Sequence, residues 1–124
     1  MDEDRKLAVR VIRKYIAELE SSATLCWTSE SFMQNSFSRI AAIKLLNRLK
    51  SYEKLSATTI IENFRDEMNR YSYMNEFMCR EYSIQFDAST YILDEIIAIK
   101  ERRMNQNEHI KTKQNFPRCA KRTI

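Results

Sequence analysis

Histidine, cysteine and clustered carboxylates are the side chains with which a chain of this size could do chemistry. Here they are few and scattered. The single histidine, His109, stands at the edge of a basic tail. Nucleophilic catalysis needs a base held within hydrogen-bond reach of its nucleophile, and a tail position is a poor place to hold one. The three cysteines, Cys26, Cys79 and Cys119, form no Cys-x-x-Cys pair and have no partner histidines at zinc-ligand spacing. Cys26 and Cys79 read as small buried hydrophobes, and free thiols fit a reducing, cytoplasmic setting. Glu62 with Asp66, and Asp94 with Glu95, are the carboxylate clusters. The first pair shares the polar face of a predicted helix, where solvated charge is the ordinary explanation. A Mg²⁺ site would want carboxylates pointing inward between helices. No Glu-x-x-His pair supports a carboxylate-bridged di-iron bundle. The expectation is therefore a protein that is not an enzyme, with no cofactor, no metal and no small-molecule substrate.

The elements that would carry any function follow from what the chain lacks. None of its 124 residues is glycine, and its one proline is Pro117. Tight hairpin turns, bulges and phosphate-cradling loops all draw on glycine at positive φ. Their exclusion leaves helices joined by loops of ordinary backbone geometry. An all-α four-helix bundle is expected, within a range of three to five helices. It should occupy residues 1–104 as one domain, with a basic, largely mobile tail at 105–124. No apolar run approaches the ~20 residues of a membrane span, so no membrane partner is expected. The acidic-then-basic start is not a secretory signal.

Apolar spacing places the helices. The first runs over about 3–20, with Ala8, Ile12, Tyr15, Ile16 and Leu19 at 3.6-residue spacing. The second runs over about 31–50, after Thr28 or Ser29 as N-cap. It is apolar nearly all round, which suggests the central position. Ser56 caps a third, whose stripe is Ile60, Phe64, Met68 and Tyr71. Asp66 and Arg70 stand at i,i+4 spacing on its polar face. The stripe then continues in phase through Tyr82, Phe86, Leu93 and Ile96. One helix of some 45 residues or two are both compatible with it. Typical helix lengths favour two, with a turn near Asn75 and a fourth helix ending near Met104.

Charge is divided unevenly. Residues 1–99 hold 13 Lys/Arg and 15 Asp/Glu, whereas residues 100–124 hold eight basic residues against two acidic ones. Lys6, Arg10, Arg13 and Lys14 line one face of the first helix. With Lys111, Lys113, Arg118, Lys121 and Arg122 of the tail, they could neutralise phosphates in a salt-sensitive, sequence-tolerant contact with nucleic acid. The rival expectation rests on surplus apolar surface. Trp27, Tyr73, Phe77 and Tyr91 fall off the main stripes, and large aromatics off the core are interface material. They point to a helical interaction module, an accessory or regulatory protein that binds another protein or a second copy of itself as a homodimer. A Lys/Asn/Ile-rich, glycine-free composition is compatible with small proteins of AT-rich bacteria, their phages and mobile elements.

Overall fold

The first three helices begin where a short polar side chain can satisfy the backbone N–H groups that the first turn leaves open. The Asp2 carboxylate accepts the Arg5 N–H at 2.7 Å and opens α1 (Glu3–Ser22). A single 3₁₀ turn, Ala23–Leu25, follows it. Thr28 and Ser31 form a reciprocal capping box at the head of α2 (Ser29–Ser51). Ser56 accepts the Thr59 N–H at 3.2 Å and opens α3 (Ala57–Met74). The last helix is α4 (Cys79–Gln114). The computed structural model describes residues 2–114, with side chains through Gln106. The fold is an all-α four-helix bundle, and no strand occurs among the described residues.

The long in-phase stripe resolves into two helices. The break needs no glycine: Asn75 folds its side chain back so that Oδ1 accepts the Phe77 and Met78 N–H groups, both at 3.1 Å. This Asx turn replaces a backbone turn with side-chain chemistry. No described residue has positive φ. At the other end α4 runs ten residues past the expected stop near Met104. The sequence offers no helix breaker there before Pro117. Residues 115–124 of the expected tail lie outside the described residues.

Short connections force neighbouring helices to run antiparallel. Side-chain ties agree: Tyr15 stacks on Tyr91 at 5.3 Å, and Lys100 pairs with Asp4 at 3.0 Å, so α1 and α4 run in opposite directions. α2 and α4 are consequently parallel. Ala41 and Ala42 on one, and Ala88 and Ser89 on the other, are fully or nearly fully buried and let that pair approach closely. The core is one cluster around Ile12, Leu45, Ile60, Phe64, Ile92 and Ile96.

The central helix is α4, not α2. Both pack on all three other helices, but α4 does so more extensively, above all on α3. Only one side of α2 is buried, through Asn35, Ser38, Ala41, Ala42, Leu45 and Leu49, while its larger Phe32 and Ile43 face solvent. Small residues make the close contacts, so a count of apolar positions misjudges which helix lies deepest. Three smaller expectations are also corrected. Cys79 is exposed and Cys26 half-buried, because both sit at helix ends and not on a stripe. Asp66 pairs with its neighbour Arg65 at 3.2 Å instead of Arg70. Tyr71 stands at the core's margin, its ring 5.3 Å from Tyr82 and its hydroxyl donating to Glu67.

That glutamate anchors α3 to α2. Arg48 donates two hydrogen bonds to it, at 2.9 and 3.0 Å, and lies 4.9 Å over the Phe64 ring. The Arg48 guanidinium holds the Glu67 carboxyl below the usual glutamate range. A carboxyl lowered in the folded state stabilises the fold at pH values above its unfolded pKa, about 4.3. That contribution disappears as pH falls through the lower folded value. Glu67→Gln is expected to cost about 1 kcal/mol at pH 7 and to flatten the acid side of a urea-unfolding pH profile. An unchanged profile would show the pair to be energetically idle.

Candidate protein-interaction surface

The two connections that follow α1 and α3 meet at the same end of the bundle, the apex. Two ties hold them there. The Asn35 side chain donates to the Leu19 carbonyl at 2.8 Å and fixes the end of α1 against α2. Glu30 in the first turn of α2 pairs with Arg80 in the first turn of α4. Between these ties the backbone is committed to turns, so the side chains it carries have no helical stripe to join.

Those side chains are large and apolar. Trp27, between the 3₁₀ turn and the Thr28 cap, is 87% exposed. Phe77, inside the Asn75 turn, is 93% exposed, and Tyr73 in the last turn of α3 is 83% exposed. Leu25, Phe32 and Met74 join them, each more than 60% exposed. Phe32 also lines a groove of about 510 Å³ with Cys26, Met33 and Phe37. At 150–250 Å² per aromatic side chain, Trp27, Phe32, Tyr73 and Phe77 alone leave roughly 600 Å² open to water.

The apex is also acidic. Glu20, Glu30, Glu76 and Glu81 stand in its turns and adjoining helix ends, against Arg70 and Arg80. Arg80 is already engaged with Glu30.

Of the four aromatics singled out in the sequence, the fold brings Trp27, Tyr73 and Phe77 to this end. Tyr91 lies elsewhere, half-exposed at mid-bundle and stacked on Tyr15. Burial pushes the Tyr15 phenol up from its ordinary pKa, so it stays neutral across the physiological range. Both rings border a cleft of only about 60 Å³, well below the volume of a small-molecule pocket. Leu25 was not anticipated, whereas Phe32 belongs to the surplus apolar surface of α2 and Met74 to the methionines able to add contact surface. Leu25 and Met74 did carry a signal: each is a large apolar residue at a helix end, next to a cap.

Lys6, Arg10, Arg13 and Lys14 are all exposed on α1. Lys6 pairs with Glu3 at 3.6 Å, and no ion pair engages the other three among the described residues. Lys111 and Lys113 lie on α4 where only the backbone is described. Arg118, Cys119, Lys121 and Arg122 lie outside the described residues, as does the side chain of His109. Glu62, Asp66 and Asp94 are exposed, and Glu95 borders the small Tyr91 cleft. No group of three or more His, Cys, Asp or Glu placed to hold a metal occurs among the described residues. No described helix is long and apolar enough to cross a membrane. No protein-family model matches the chain, no curated protein matches it, and no solved structure matches it.

Proposed function

We propose that this chain is a non-catalytic helical interaction module that binds another protein through its apex. One observation carries the reading: six large apolar side chains, each more than 60% exposed, gather in the two connections and the adjoining helix ends at one end of the bundle. Leaving such surface in water is unfavourable by roughly 25 cal/mol per Å². Covering it with a partner recovers that energy, and aromatic anchors ringed by polar residues are the usual anatomy of a contact patch. The nucleic-acid alternative draws on less. The basic face of α1 is one short row, and the apex carries the opposite charge.

A photo-reactive residue placed at position 77 tests the reading, with position 54 at the opposite end as control. Irradiated in cells that make the protein, position 77 is expected to give discrete protein adducts, identifiable by mass spectrometry. Position 54 is expected to give none of these. Adducts common to both positions, or none at position 77, would overturn the proposal.

A further inference from the structure

We infer that the apex is occupied by a second copy of this chain, joined head to tail: the projecting end of α4 from one molecule seats on the apex of the next. This rests on the reading of the apex as a protein-binding surface and names its occupant.

α4 outruns the bundle. Its last ion pair with another helix among the described residues is Lys100 with Asp4, at the first turn of α1. Every described side chain from Glu101 to Gln106 is exposed. The helix nevertheless continues to Gln114, so its final fourteen residues extend about 21 Å at 1.5 Å per residue. A helical segment of that length is marginal in water by itself, and a surface to lie on would stabilise it. Arg102, Arg103, Lys111 and Lys113 outnumber Glu101 and Glu108 along it, with Met104 and Ile110 as its apolar contacts. A cationic helix with two apolar anchors complements an acidic, aromatic surface.

Geometry then decides whose helix it is. α4 starts at the apex and is 36 residues long, so it carries its far end about 54 Å away from the apex of its own molecule. The contact must be made between copies. Apex-to-apex pairing would set the carboxylates of one molecule against those of the other, and apposed like charges are costly. Head-to-tail pairing sets cations against them instead. Such a contact is heterologous, so it propagates into a chain or closes into a ring.

Two full-length variants test this by sedimentation velocity. One carries Trp27→Ser and Phe77→Ser at the apex. The other carries Arg102→Glu, Arg103→Glu, Lys111→Glu and Lys113→Glu on the projecting helix. Trp27, Phe77, Arg102 and Arg103 are exposed, and unchanged circular dichroism and thermal midpoints establish that both variants fold. The unaltered chain is expected to form a concentration-dependent series of oligomers, weakened at least ~10-fold when salt is raised from about 0.05 to 0.5 M. Each variant alone is expected to be monomeric. Mixed, they should form a discrete pair that grows no further, because only one intact apex and one intact cationic helix are present to meet. Adding Glu20→Lys and Glu76→Lys to the helix variant should restore its own association. Association that survives in the helix variant but not in the apex variant would overturn the head-to-tail contact and leave the apex reading standing. A chain that stays monomeric, or variants that associate as the unaltered chain does, would also overturn it. The adducts from position 77 would then decide the apex reading separately.

Discussion

Arg5→Ala is expected to destabilise the fold by about 3 kcal/mol, the scale set by losing a hydrogen-bonded charged donor and leaving a buried acceptor unsatisfied. Arg5 is on the first turn of α1 and only 6% exposed. Its guanidinium reaches across to the end of α2 and donates to the carbonyls of Leu49, Tyr52 and Leu55, the last two at 3.0 and 2.6 Å. The final carbonyls of a helix have no partner within it and form the negative end of its dipole. One planar, forked cation satisfies a final carbonyl of α2, that of Leu49, and two carbonyls of the α2–α3 connection, those of Tyr52 and Leu55. Truncation leaves the Leu49 carbonyl without that donor and unties the connection from α1. For a chain of this length the loss corresponds to a fall in thermal midpoint of roughly 10–20 °C. Arg5→Lys keeps the charge but not the fork, and is expected to recover less than half of the loss. Urea unfolding of the three proteins measures this. A loss below about 1 kcal/mol for Arg5→Ala would mean that the carbonyls are satisfied without the guanidinium.

Phe64 and Phe77 provide the second large contrast, because one residue type occupies opposite environments. Phe64 is fully buried on α3, against the core and beneath Arg48. Phe64→Ala is expected to cost about 3–5 kcal/mol, the transfer of the ring plus the cavity it leaves. Phe77 has almost nothing to lose in the isolated fold. Phe77→Ala is expected to change stability by no more than about 0.5 kcal/mol. Its effect should be on association: the loss of an aromatic anchor at the centre of a contact weakens binding by about 2 kcal/mol, near 30-fold. Unfolding and binding measured on the same two variants separate the roles. If Phe77→Ala unfolds the protein, its ring is part of the packing and the apex is not a free surface.

Much of the scaffold was legible because helix signals are local. Thr28 and Ser56 cap groups three residues away, within the reach of a short polar side chain. Asn75 was readable as a turn former for the same reason, although its bonds close the turn before α4 and not the first turn of α4 itself. The continuation of α4 to Gln114 was also there to be read in the lack of a breaker before Pro117. It was obscured by weighting polarity over helix propensity. Arg5 could not be read. It sits in a run of charges, Asp2 to Lys6, that looks solvated, and its partners lie 44–50 residues away.

The amino-acid order alone settles the helical class, most helix boundaries and the aromatics that have no stripe to join, while it leaves one long helix or two open after Ser56. These are properties of segments of a few turns, decided by side-chain periodicity, by capping and by a chain with no glycine for other backbone shapes. Which connections share an end, which helix lies deepest, where the cations meet carbonyls and where α4 runs free were set by packing. Four amphipathic cylinders can be docked in several ways with the same periodicity. The choice among them is made by the fit of small residues such as Ala41, Ala42, Ala88 and Ser89, and by ties such as Arg5 to Leu49 and Glu30 to Arg80.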